Sequence, residues 1–109
     1  MTFDDYQQQA LKTSRPKDAP GEFAHLVLGL VGESGEIAEK VKKLLRDHQG
    51  DMTKLDIQDM KKELGDVLWY TAVLANYLDI SFEDVAVTNI SKVADRQQRG
   101  VIGGSGDAR

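Results

Sequence analysis

A chain of 109 residues suits one domain whose core suffices for folding but leaves little apolar surface to spare, so a self-association surface is expected. The net charge of −4 provides no general basic field, which excludes nucleic acid held through its phosphates, and the absence of cysteine excludes a disulfide framework, a thiolate metal site and a cysteine nucleophile. The opening MTFDDYQQQ is polar and acidic rather than signal-like, and no apolar run approaches membrane-spanning length, so a cytoplasmic protein with no membrane partner is expected.

Thr2, with Asp5 three residues on, marks a helix start, and a first helix is expected to run to about Thr13 before Pro16, Pro20 and Gly21 break it. In the next segment Phe23, Leu26, Val27, Leu30, Val31, Ile37, Ala38, Val41, Leu44 and Leu45 recur at steps of three and four. That is one continuous stripe on a second helix ending near Gly50, where DHQGDMT supplies turn residues. Asp56 can cap a third helix with the stripe Ile57, Met60, Leu64, Val67, Leu68, Thr71, Leu74, Ala75 and Leu78. Ser81 and Asp84 open a fourth, with Val85, Ile90, Val93 and Ala94 turned inward and Gly100 as its stop. No segment keeps a period of two, so no strand is expected. The fold class is therefore all-α: a four-helix bundle-like protomer whose long second and third helices, joined by a short connection, pack antiparallel. Residues 1–99 form the one domain, and the glycine-rich tail 100–109, GVIGGSGDAR, has no packing pattern. Leu44, Leu45, Val73 and Tyr77 are apolar positions that the shorter helices leave uncovered, and a homodimer or homotetramer would bury them.

Four acids carry the chemistry. Glu33 and Glu36 lie three apart on the second helix, Glu63 and Asp66 three apart on the third, a spacing that puts each pair on one face with Cβ atoms about 5–6 Å apart. Each pair adjoins its helix's apolar stripe, where carboxylates repel one another and resist desolvation, and no Lys or Arg is expected within the stripe between them. A divalent cation answers that need; ordinary solvated acids, paired with Lys40, Lys43, Lys61 and Lys62 across the surface, are the alternative. Gly29, Gly32, Gly35 and Gly65 surround these acids at about 1 kcal/mol each relative to Ala in a helix, which favours close backbone approach or ligand space over chance. With neither His nor Cys in the set, an all-oxygen site suits Mg²⁺, with Mn²⁺ as a substitute. Mg²⁺ is commonly completed by phosphates, so a nucleotide or another phosphorylated ligand follows. His25 and His48 receive no catalytic role, and Glu39 is taken as an exposed charge.

The stretches GLVGESGEIAEKVKK at 29–43 and ELGDVLWY at 63–70 resemble the ExxE and ExxD motifs of the all-α nucleotide pyrophosphohydrolases that include MazG, and residues 89–109 are similar to the C-terminal end of single-domain MazG-like proteins. The resemblance implies hydrolysis of a nucleoside triphosphate to the monophosphate and pyrophosphate, with metal on Glu33, Glu36, Glu63 and Asp66 and either Glu33 or Glu36 as general base. Trp69 and Tyr70 are candidates to stack on a base, or else pack in the core. Asn89 and Lys92 are placed towards the substrate, while Arg96 and Arg99 either meet phosphates or complement the end of their helix. The tail is expected to close over bound nucleotide. A phosphoribosyl-ATP pyrophosphohydrolase with the same metal logic, and a non-catalytic helical interaction module, are the competing readings.

Overall fold

The computed structural model describes residues 1–100. The expected closure of the tail falls on residues 101–109 and lies outside the described residues. Four α-helices and one short 3-10 turn make up the described chain, without strands: α1 (Phe3–Leu11), α2 (Glu22–His48), α3 (Ile57–Tyr77) and α4 (Phe82–Arg99), with the 3-10 turn at Met52–Lys54. No described helix is long and apolar enough to cross a membrane.

The helix starts are those the capping residues dictate. Thr2 and Asp5 form a reciprocal box, each side chain bonding the other's backbone N–H at 3.0 Å. Asp56 accepts from the Asp59 amide and Ser81 from the Asp84 amide, again at 3.0 Å. The start of α2 is different, because Gly21 occupies the N-cap at φ 70° with no side chain to offer. Glu22 follows it, buried against Arg15 Nε at 2.9 Å. The amides of Gln49 and Gly50, both at positive φ, close α2 on the Leu44 carbonyl. Helix α1 ends at Leu11, two residues short of the expected Thr13, because the Thr13 and Ser14 hydroxyls turn back to the carbonyls of Ala10 and Leu11 and compete with a further helical turn.

The core gathers at one end, where Ala10, Leu26, Ala72, Val73 and Phe82 are buried and Tyr6, Leu11, Trp69, Tyr70, Leu74, Tyr77 and Val85 pack around them. Gln7 clamps that end. Its buried amide donates to the carbonyls of Ala72 at 3.0 Å and Ile80 at 3.2 Å and accepts from the Phe82 N–H at 3.2 Å, so one side chain ties α1 to α3 and satisfies the first amide of α4.

Helices α2 and α3 pair along much of their length, as expected, whereas α4 contacts α1 and α3 and not α2. The Cα radius of gyration, 16.8 Å, exceeds the roughly 13 Å of a compact chain of about this length, in keeping with a helix that leaves the bundle. This corrects the inward face expected of α4: Ile90 is 68% exposed, and Val93 and Ala94 are exposed too. The long stripes are likewise wider than the core. Neighbours such as Leu44 and Leu45 point about 100° apart on a helix, so Leu44 is buried and Leu45 is not. Val73 is buried and Tyr77 half-buried, contrary to the expectation that both stay uncovered; the apolar surface consists instead of Leu28, Val31, Leu45, Leu64, Val87 and Ile90, among others.

The clamp yields a prediction. Gln7→Leu keeps the volume but strands the Phe82 amide, and should cost about 1–3 kcal/mol of stability in urea unfolding; a loss no larger than that of an exposed control such as Gln8→Leu would remove Gln7 from this role.

Candidate metal centre

Antiparallel pairing of α2 and α3 sets Glu33 against Glu63 and Asp66. One ligand oxygen from each of these three residues lies within 4.8 Å of the others. Glu33 and Glu63 are partly buried and Asp66 is exposed, so the cluster forms a rim between the core end and the α2–α3 turn. Burial pushes the Glu33 carboxyl above its ordinary range, and the charges of Asp66, Glu63 and Glu36 push it further. Glu36, one helical turn along α2, is exposed and stands outside the trio. Among the described residues these acids offer oxygen only, without His or Cys. Such a donor set fits a hard divalent cation, whose charge would relieve the repulsion that Glu33 carries.

The pairing of these acids with surface lysines, the alternative that the sequence left open, is met at Lys40. Lys40 lies on the same face of α2, and its Nζ sits 3.6 Å from Glu63 Oε1 while pairing with Asp59. Sequence spacing allowed it, since Lys40 is four residues beyond Glu36 and so on the same face, but its partners on α3 come only from the helix register. Tyr6 is a residue that the sequence did not single out. It approaches from α1, and its phenol is pushed upward by burial and by the charge of Asp66. Glu39 is half-buried and pairs with Lys42 at 2.8 Å, outside the trio.

The glycines divide. A Cβ at Gly29 would fall 2.2 Å from Tyr70 Cε1, so this glycine exists to let α3's tyrosine lie against α2's backbone. Gly32, Gly35 and Gly65 face open space. Tyr70 is thereby committed to packing, and Trp69 donates its indole N–H to Thr13 Oγ1 at 2.9 Å and stacks edge-on to Tyr70. Both rings are partly buried and pack against the core.

Helix α4 touches α1 and α3 but not α2, the helix that carries Glu33 and Glu36. Asn89 and Lys92 line a separate cavity with Ile80, Asp84, Val85 and Thr88. Arg96 is buried and Arg99 pairs with Asp95 at 2.8 Å. A meeting of these four with the substrate beside Glu33 would need more than the contacts of one chain, since α4 does not touch α2.

The described residues define an all-helical protein with three acids gathered across two long antiparallel helices. Residues 22–101 match the family described as the MazG nucleotide pyrophosphohydrolase domain, and the chain belongs to that family. It is 52% identical over 87 residues to the Gene 37 protein of Mycobacterium phage L5, a match covering 80% of this chain and 76% of that protein. No solved structure matches the chain significantly.

The raised Glu33 carboxyl gives a signed pH prediction. With its folded pKa above the unfolded value, the folded state binds more protons between the two, so this contribution is present at low pH and is lost as pH rises through the folded pKa. Without added divalent metal, the melting temperature of Glu33→Gln relative to wild type should therefore increase between pH 5 and pH 7; a difference independent of pH would contradict it.

Proposed function

We propose that the protein hydrolyses a nucleoside triphosphate to the monophosphate and pyrophosphate, with Mg²⁺, or Mn²⁺ in its place, held by Glu33, Glu63 and Asp66. The observation that carries this reading is the convergence of three carboxylates within 4.8 Å on a domain of the MazG nucleotide pyrophosphohydrolase family. When bound, the metal supplies positive charge to the phosphates and makes a water more acidic.

The chain's own residues supply the rest. Glu33, partly buried and crowded by three like charges, is the ligand whose carboxylate gains most from a cation. Glu36 stays outside the trio and exposed, which leaves its carboxylate available as general base for the attacking water. That water forms a bond to phosphorus, its proton passes to Glu36, and the bridging oxygen between the α and β phosphates leaves with the bonding pair. A general base that is not also a ligand keeps its lone pairs for the proton.

A second copy of the chain completes the proposal. The exposed Leu28, Val31 and Leu64 lie on the same two helices as the acids, and Val87 and Ile90 on α4. A symmetric partner would bury these apolar surfaces and bring its α4, with Asn89 and Lys92, alongside the acids.

Two outcomes are expected. With a panel of ribo- and deoxyribonucleoside triphosphates and Mg²⁺, at least one substrate should release pyrophosphate rather than orthophosphate, and Asp66→Asn and Glu36→Gln should each lower kcat by about 100-fold or more with helical content intact. Retention of wild-type turnover by both variants would sink the assignment. In sedimentation, the protein should run as a dimer or tetramer and Ile90→Glu should shift it towards monomer; a wild-type monomer at every concentration would refute assembly.

A further inference from the structure

Within the acid trio, Glu63 already has a cation beside it, the Lys40 ammonium at 3.6 Å. That contact is the looser of two. The same Nζ lies 2.5 Å from Asp59 Oδ2, well within hydrogen-bond reach, whereas 3.6 Å leaves Coulomb attraction alone. The geometry of two helices makes this arrangement. Asp59 and Glu63 are four apart on α3 and stand one above the other on one face. Lys40 reaches them from α2, seven residues beyond Glu33 and only about 20° around the helix from it. The lysine side chain is 25% exposed and that of Glu63 17%, so water and salt screen this pair less than one on the open surface.

Two acids for one ammonium give it two positions. Glu63 belongs to the trio, and Asp59 does not. Rotation about the last bonds of the lysine side chain can therefore give up Glu63 while keeping Asp59, so the ammonium retains an ion pair throughout. An ammonium and a divalent ion cannot both sit against the Glu63 carboxylate without repelling each other. Lys40 as it stands thus opposes metal entry, and Asp59 is what lets it give way. Without metal, the same ammonium offsets part of the repulsion among carboxylates that lie within 4.8 Å of one another.

We propose that Lys40 is a resident counter-ion of the metal site, held beside Glu63 in the metal-free protein and drawn back onto Asp59 when a divalent cation enters. The proposal rests on the reading of Glu33, Glu63 and Asp66 as metal ligands and adds the residues that set how tightly the ion is held. It makes Lys40 a positioning residue with two opposed effects: it stabilises the metal-free fold and weakens affinity for the ion. Only a cation with enough charge to displace an ammonium then fills the site, which favours a divalent ion over a monovalent one.

Titration of Mn²⁺ alone, followed by electron paramagnetic resonance of the free ion, tests this without nucleotide or turnover. Lys40→Gln should bind Mn²⁺ about tenfold more tightly than wild type, and without metal it should melt at a lower temperature. Damage to the fold would loosen the metal, so a gain in affinity separates charge competition from a structural defect. Asp59→Asn, which removes the second berth and leaves the ammonium on Glu63, should bind about tenfold more weakly. The double variant Lys40→Gln/Asp59→Asn should match Lys40→Gln, since Asp59 acts through the lysine. Lys40→Arg keeps the charge and should stay near wild type. So should Lys42→Gln, which removes the same charge from the opposite face of α2, where Lys42 pairs with Glu39. If Lys40→Gln fails to fold by circular dichroism, Lys40→Met, which keeps the apolar stem, is read in its place, and wild-type affinity in Asp59→Asn overturns the proposal by itself. Equal or weaker Mn²⁺ binding by the Lys40 variant overturns the proposal and leaves the metal centre standing. A double variant as weak as Asp59→Asn does the same, because Asp59 would then be a ligand in its own right. No Mn²⁺ binding by wild type or by Lys40→Gln removes the metal centre and the proposal together.

Discussion

The pairing of α2 with α3 is the constraint on which the rest depends, because it forces three carboxylates into a space less than 5 Å across. Like charges at that separation are tolerated only where counter-charge or protonation offsets them. Both devices are visible: Glu33 holds its proton more tightly than an ordinary glutamate, and Lys40 reaches across from α2 to Asp59 and Glu63. A hydrophobic contact at the same place would have given more stability for less. Its absence marks the middle of the helix pair as a position shaped by something other than folding.

The core is built so that this costs little elsewhere. Packing concentrates where α1, the first turns of α2, the last turns of α3 and the start of α4 meet, and Gln7 ties three of those segments with its one amide. That end can hold the helix pair in register while its other half carries charge. Gly29 belongs to this scheme, since the backbone approach it allows brings Tyr70 under α2 and fixes the two helices close together one turn before Glu33. Gly32, Gly35 and Gly65 face open space and lower the walls on either side of the acids, leaving room for a ligand or a second chain.

Electrostatics along the groove are graded rather than uniform. Along α2 glutamates at the middle give way to lysines towards the turn, whereas the facing residues of α3 stay acidic, and Lys40 pairs with Asp59 and reaches Glu63. Helix α4 stands apart from this groove within the protomer, and its exposed apolar residues are better suited to a surface than to the inward face their spacing suggested.

Helix number and order, the starts of α1, α3 and α4 and the stops of α2 and α4 were legible in the sequence because each depends on residues within one turn: the Thr2–Asp5 box, the Asp56 and Ser81 caps, and Gly50 and Gly100 as terminators. The acids were legible for the same reason, since a spacing of three on a helix fixes a shared face. What needed the tertiary structure was everything set by the relative position of two helices. The trio excludes Glu36, Lys40 takes Asp59 and Glu63 as partners, the partly buried rings of Trp69 and Tyr70 pack against the core, and α4 makes no contact with α2. Periodicity names the apolar arc of a helix but not which part of that arc a neighbour covers. Leu44 and Leu45 are equivalent in sequence, and only the packing of α3 and the following turn against α2 buries the one and leaves the other in solvent.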